Sequence, residues 1–314
     1  MSPEVLDSDQ TARRLPYDRL IDRMGALFAA GVTAPSRHHH TMPVAGEQDA
    51  TLLLMPAWNG DIGCVKIVTA YPGNGARGLP AIAGTVLVFD RETGAHRLLM
   101  DGTSLTARRT AAASALAARF LAPADARTLL LLGAGRVASE LPAAFCAVRE
   151  IDRVLVWNRS DSGAAGLVRR LETSGLRASV VHDLPDAVAA ADIISAATLA
   201  TEPVLHGAWL RPGQHVDLVG AFTPTMRETD DTALQRGRVF VDTGMAMVEA
   251  GELAIPLAEG TISKAQICGD LADLAAGRAG RNRPDDITIF KSVGNAVMDL
   301  AAALTAMTGT DTHD

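Results

Sequence analysis

Two hydrophobic periodicities divide the chain. Over residues 17–30, Leu20, Ile21, Met24, Leu27 and Phe28 fall on one face at helical spacing, which predicts an amphipathic helix closed by Pro35. Strand-like runs follow at 51–58, 63–70 and 84–90. Asp90-Arg91-Glu92-Thr93-Gly94 reads as a turn, with 95–100 as the return strand of a hairpin. An alanine-rich helix is predicted at 104–121, stopped by Pro123. From Ala126 short strands alternate with helical stretches: 128–132, 153–157, 178–181, 192–195, 215–219 and 238–241, with 287–290 a candidate to join them. Such alternation predicts an α/β fold, a doubly wound parallel sheet with helices on both faces. Residues 292–308 return to an alanine- and leucine-rich helical pattern.

One of the strand-to-helix junctions carries chemistry. Thr128-Leu129-Leu130-Leu131-Leu132 runs into Gly133-Ala134-Gly135-Arg136-Val137-Ala138. This Gly-x-Gly-x-x-Ala follows a predicted strand and opens a predicted helix, the context a dinucleotide-binding turn requires. Gly133 permits the tight turn, Gly135 lets backbone approach a pyrophosphate, and Ala138 allows close helix packing. Arg136 and Val137, in the first turn of that helix, belong to the same candidate set. The next strand ends in Asn158-Arg159-Ser160, with no acid at the tip to hold the ribose hydroxyls of NAD. Arg159 with Ser160 suits a 2′-phosphate, so NADP(H) is favoured and NAD(H) stays possible. The plainer reading of Arg159 is a solvated surface arginine. Thr198 and Gly220 close the later strands, and the carboxyl ends of strands line the ligand crevice in such sheets. They are candidates to flank the ribose and nicotinamide. Ser292 and Asn295 either touch the cofactor or cap the last helix.

Composition narrows the partners. Thirty-six acidic against 29 basic residues give a net charge of −7, which argues against nucleic-acid or anionic-membrane binding. Cys64, Cys146 and Cys268 are far apart and make no metal-ligand spacing, so reduced, buried thiols are expected. The acidic start lacks an apolar signal-like stretch, and a cytoplasmic protein of about two domains is expected.

Three cations stand out: Arg37, Lys66 inside the apolar strand Cys64-Val65-Lys66-Ile67-Val68, and Arg109 near the start of the alanine-rich helix. A helix N-terminus repels cations, so an arginine there points to a shared anion. The bland alternative makes each a surface charge, with Lys66 on the outward side of its strand. His38, His39 and His40 form a tract with no second ligand cluster; solvated or locally packed histidines are preferred to a metal site, and no metal is expected.

With these features in hand, the chain resembles the ornithine cyclodeaminase/mu-crystallin family over nearly its whole length. The resemblance is carried by Arg37, MPAW (55–58), KIVTAYPGN (66–74), GTVLVFDRETG (84–94), LTARRTAAASALAARFLA (105–122), LLLLGAGRVA (129–138), DIISAAT (192–198), LVGAFTPTMRE (218–228) and FKSVGNAVMDLAAA (290–303). It implies a Rossmann-type domain over 121–291, inserted in a smaller α+β substrate-binding and dimerisation domain made of 1–120 plus 292–314. It also implies a homodimer formed through the N-terminal domains. In the family Arg37, Lys66 and Arg109 would hold the substrate carboxylate, with Lys66 the catalytic candidate; Thr110, beside Arg109, joins the cofactor set. Where cyclodeaminases carry an aspartate, this chain has Phe222. A phenyl ring neither accepts a proton nor pairs with an ammonium, so it would form an apolar wall of the substrate site. The FTPxMRE form is similar to the family's ketimine reductases. The resemblance therefore implies NAD(P)H-dependent reduction of a small cyclic imino acid, pyrroline-2-carboxylate or piperideine-2-carboxylate, to proline or pipecolate. Ornithine cyclodeamination and a non-catalytic NADPH-dependent binding protein of the mu-crystallin kind are the alternatives.

Overall fold

The structure, a computed structural model, describes residues 2–308. In chain order the elements are β1 (Glu4–Leu6), α1 (Ser8–Arg13), α2 (Tyr17–Ala30), β2 (His38–Met42), β3 (Ala50–Trp58), β4 (Ile62–Ala70), β5 (Ile82–Asp90), β6 (His96–Asp101) and α3 (Gly102–Leu121). Then come β7 (Thr128–Leu132), α4 (Arg136–Cys146), β8 (Arg153–Trp157), α5 (Asp161–Thr173), β9 (Ala178–Val180), α6 (Leu184–Ala190), β10 (Ile193–Ala196) and β11 (His215–Leu218). The chain closes with α7 (Asp231–Arg236), β12 (Arg238–Val241), α8 (Ala246–Glu249), α9 (Gly251–Glu259), β13 (Ile267–Asp270), α10 (Leu271–Ala275), β14 (Thr288–Lys291) and α11 (Ala296–Thr308). It forms two compact units, residues 2–109 with 295–308, and residues 110–294.

The first unit is built on a mixed sheet ordered β1-β6-β5-β4-β3-β2. β2 to β6 pair antiparallel in sequence order, and β1 adds to β6 in parallel. The β5–β6 hairpin turns at the predicted Asp90–Gly94 segment, where Asp90 Oδ1 accepts from the Glu92 and Thr93 N–H groups. α11 packs on α2, β3, β4 and β5. Its residues Met298 to Ala303 are all buried, the burial expected of a helix that is apolar on nearly every side.

The second unit carries an eight-stranded parallel sheet ordered β13-β12-β14-β11-β10-β7-β8-β9. The chain enters at β7, runs outward through β8 and β9, then returns to place β10 on the other side of β7. That reversal makes a switch point, and the carboxyl ends of strands flanking it form the ligand crevice of doubly wound sheets. Leu130, Leu132, Ile194, Val216, Leu218 and Ile289 lie fully buried in its core.

Several elements differ from the sequence reading. α2 ends at Gly31, not Pro35: Gly31 adopts φ 73°, and its N–H donates to the Leu27 carbonyl. α11 starts at Ala296 rather than 292, because Asn295 Oδ1 accepts from Val297 N (3.0 Å) and begins the helix there. β1, β2 and β13 went unread: two are short, and the histidines of β2 lack the apolar alternation that marks a strand. The division between units falls inside α3, between Arg109 and Thr110. From there α3 belongs with the parallel sheet, and Arg149 fastens its end by donating to the carbonyls of Ala118, Arg119, Ala122 and Pro123. The thiols are free as expected, but only Cys64 is buried; Cys146 is exposed and Cys268 half-buried.

Candidate active site and dinucleotide turn

In the first unit β4 lies between β3 and β5, with Lys66 opposite Met55 and Val86. Strand alternation puts Cys64 and Lys66 on one face and Val65 and Ile67 on the other. The covered face is the lysine's: Lys66 is 1% exposed, whereas Ile67 is 39% exposed. The outward reading of Lys66 is thereby overturned.

A buried ammonium requires a partner, and Lys66 finds it on α11. Its Nζ donates to Asp299 Oδ1 at 2.8 Å. Arg109, from α3, donates through Nε to the same oxygen at 3.2 Å, and its Nη1 lies 3.5 Å from Met298 Sδ. Asp299 is fully buried, and its Oδ2 has no hydrogen-bond partner among the described residues. The anion that the position of Arg109 points to is therefore supplied in part by the chain itself. Two cations share one carboxylate, so the cluster holds a surplus positive charge. Half-buried Arg37 is close enough to add to it. Burial pushes the Lys66 ammonium down to about 8, Arg109 adds to the fall, Asp299 opposes it, and Arg37 contributes further. Burial likewise pushes the neighbouring Cys64 thiol up.

Asp299 was missed in the sequence. The available signal was a lone carboxylate in the apolar stretch 296–306, since a charge buried on every side must be paired. His38 to His40 sit exposed on the edge strand β2. Among the described residues no group of three or more His, Cys, Asp or Glu has metal-holding geometry.

In the second unit the glycine turn has the geometry a phosphate requires. Gly133 has φ 110°, and a Cβ there would lie 2.7 Å from the Ala197 carbonyl oxygen. Gly135 is the N-cap of α4, is exposed, and has open space where its Cβ would be. No side chain caps α4, so its first N–H groups are left for an anion. Arg136 is exposed in the first turn and Val137 half-buried. At the tip of β8, Asn158 donates from Nδ2 to the Ser160 carbonyl (3.1 Å) and Oγ (3.0 Å), while Arg159 is exposed. Ser160 makes no side-chain cap to α5. The uncapped glycine turn fits the pyrophosphate of a dinucleotide.

Behind the crevice lies a polar network that the sequence reading did not assign. Ser195 Oγ donates to Asp217, whose carboxyl is pushed up to about 7 by burial against the pull of that bond. Glu252 is also pushed up to about 7 by burial, with Lys291 opposing and Glu228 adding to the rise. Lys291 Nζ stands 4.0 Å from Glu252 Oε2. Asp242 Oδ2 accepts from Ser292 Oγ (2.9 Å) and from the N–H groups of Val293 and Gly294, so the Ser292 hydroxyl is engaged within the protein. Thr110 is buried in α3, and Phe222 is 47% exposed in the segment after β11.

A parallel doubly wound sheet with an uncapped glycine turn at its switch point defines a dinucleotide-binding α/β protein, here joined to a unit with a buried, cation-rich cluster. The chain belongs to the ornithine cyclodeaminase/mu-crystallin family, whose model matches residues 22–308. It is 41% identical to the Delta(1)-pyrroline-2-carboxylate reductase of Paracoccus denitrificans (strain Pd 1222) over 293 residues, 90% of this chain and 93% of that protein. Among solved structures it is similar to Thermococcus litoralis Delta(1)-pyrroline-2-carboxylate reductase in complex with NADH and L-proline. That match has a TM-score of 0.89 and 31% identity, and covers 97% of this chain and 96% of that one. An archaeal alanine dehydrogenase dimer with bound NAD superposes with a TM-score of 0.90 at 25% identity, covering 99% and 96%. No helix among the described residues is long and apolar enough to cross a membrane.

Proposed function

We propose that this protein reduces a small cyclic imino acid, pyrroline-2-carboxylate or piperideine-2-carboxylate, to proline or pipecolate with NAD(P)H. The observation that carries the reading is the surplus positive charge around Asp299. Lys66 and Arg109 together exceed the one carboxylate they share, and a substrate carboxylate completes the balance. Relatives named as pyrroline-2-carboxylate reductases support it.

Arg37, Lys66 and Arg109 bind and orient the carboxylate, the arginines through paired N–H donors. Fixing one end of so small a molecule fixes its C=N bond as well, and positioning of this kind is worth several kcal/mol of barrier. When bound, a reduced dinucleotide would supply the hydride equivalent needed to convert the C=N bond of a protonated imine to an amine. A protonated imine already carries its proton, so the reduction needs no strong acid. Phe222, standing in place of a carboxylate, cannot pair with an ammonium.

Gly133, Gly135, Arg136 and Val137 would hold the pyrophosphate. Asn158, Arg159 and Ser160 would hold the adenosine ribose, with the Arg159 guanidinium selecting the 2′-phosphate of NADP(H). Thr198 and Gly220, at the ends of β10 and β11, would flank the nicotinamide side, with Thr110 and Ser292 completing the set. The protein is read as a homodimer formed through the first unit. Ile67 is exposed on one face of its sheet, where Leu54 opposes it and Val65 opposes Leu87, and an apolar patch of that kind marks an interface. A monomeric mass by light scattering would remove this part of the reading.

The deciding assay follows NADPH oxidation by absorbance with pyrroline-2-carboxylate, NADH in parallel, and ammonia release from ornithine alongside. The expected result is rapid oxidation, faster with NADPH at low concentration, and no ammonia. Ammonia and proline from ornithine with NADPH untouched would establish a cyclodeaminase instead. NADPH bound tightly with no imine turned over would establish a binding protein.

A further inference from the structure

In the second unit a single side chain joins the tips of two strands. The ladder between β10 and β11 ends where Val219 N donates to the Ala196 carbonyl (2.9 Å). Beyond that point the next N–H groups turn to Glu228. Its Oε1 accepts from Thr198 N (2.7 Å) and Thr198 Oγ1 (2.8 Å), and its Oε2 from Gly220 N (2.7 Å) and Ala221 N (3.2 Å). A carboxylate offers about four lone-pair directions and no donor, and all are taken. Glu228 is fully buried and is itself held: its N–H donates to both oxygens of Glu252 (3.1 and 3.0 Å), and Thr229 N donates to Glu252 Oε1 (2.7 Å).

The clasp leaves no slack. A Cβ on Gly220 would lie 2.1 Å from the Thr198 carbonyl oxygen and 2.4 Å from Glu228 Oε1, so the two segments meet backbone to backbone. Glu228 also ends the excursion from Ala221 that carries Phe222. Burying a carboxylate is costly, and an apolar residue would fill the same volume at lower cost. What only the carboxylate offers is a set of acceptors for the N–H groups that the diverging strands leave without partners.

We propose that Glu228 is a positioning residue for the nicotinamide half of the bound dinucleotide: it sets the separation of the β10 and β11 tips and anchors the Phe222 segment without touching the ligand. The inference rests on the dinucleotide reading given above. The adenosine half depends on different segments, at β7 and β8, whereas the hydrogen bonds to the Glu228 carboxylate come, among the described residues, from Thr198, Gly220 and Ala221.

The test compares two probes on the full-length protein by calorimetry: NADPH, and 2′-phospho-ADP-ribose, which lacks only the nicotinamide. Glu228→Gln keeps the shape but turns an amide N–H₂ toward backbone donors, breaking one side of the clasp. Expected is 2′-phospho-ADP-ribose affinity within about twofold of wild type and NADPH affinity lowered by about tenfold or more, the worth of one or two lost hydrogen bonds. Glu252→Gln, which loosens the backbone of Glu228 and spares its carboxylate, should move the ratio of the two affinities in the same direction by less; it carries the test if Glu228→Gln does not fold. Equal weakening of both probes would make Glu228 a general element of the fold and overturn the proposal, as would no weakening of either. A wild-type protein that binds neither probe would overturn the dinucleotide reading beneath it.

Discussion

Lys66→Ala is expected to abolish imine reduction while NADPH binding persists. The substitution removes a charged donor from a site where it is 1% exposed and already oriented by Asp299 Oδ1 at 2.8 Å. Hydrogen bonds from charged groups contribute about 1.5–3 kcal/mol, and loss of substrate alignment adds to that. Together they predict a fall in kcat/KM of about a thousandfold. The fold should survive, because Arg109 still pairs with Asp299. Lys66→Met, nearly equal in length and without charge, separates the ammonium from the volume it fills: it should be as inactive as Lys66→Ala but closer to wild type in thermal unfolding. Turnover like that of wild type in either variant would place Lys66 outside the site. Retained turnover in Lys66→Met alone would make its role one of packing.

How far the sequence reached follows from what kind of signal each feature carried. The parallel sheet was legible because β7, β8, β10 and β12 are largely apolar runs separated by helical stretches, and burial on both faces demands such composition. The glycine turn was legible because Gly133 and Gly135 are required by backbone geometry that few other residues can adopt. Lys66 and Arg109 were visible as charges in apolar surroundings. Their partner was not, since Asp299 lies 233 residues from Lys66 and 190 from Arg109, and no local spacing links them. Glu228 stood inside a quoted motif, yet its acceptors matter only once β10 and β11 are seen to diverge. β2 was missed because exposed edge strands need no apolar alternation, and His38 to His40 are all exposed. In each miss the deciding contact is tertiary, between segments that the fold brings together.

Asp299→Ala should cost the protein more stability than any other single change in the first unit. It would leave Lys66 and Arg109, 1% and 6% exposed, facing each other without an anion. Removing one partner of a buried ion pair costs about 3–5 kcal/mol, and in a unit of this size that lowers Tm by roughly 10 °C or more. Asp299→Asn keeps the volume and an acceptor oxygen but removes the charge. It should therefore lose stability too, by less than Asp299→Ala, and its distinguishing effect should appear in the pH profile. Lys66, held near 8, must be charged to hold a carboxylate, so wild-type kcat/KM should be high below pH 8 and fall as pH rises through it. Asp299 raises the Lys66 value by its charge and its hydrogen bond. Without the charge the Lys66 value falls, and the basic limb should move to lower pH, with KM rather than kcat carrying most of the change at neutrality. A basic limb that stays near 8 in Asp299→Asn would mean that Lys66 is not the titrating group. A Tm for Asp299→Ala equal to wild type would mean that the buried pair holds nothing together. The same carboxylate thus has two separable effects: it makes burial of two cations tolerable, and it keeps one of them charged where a substrate carboxylate would bind.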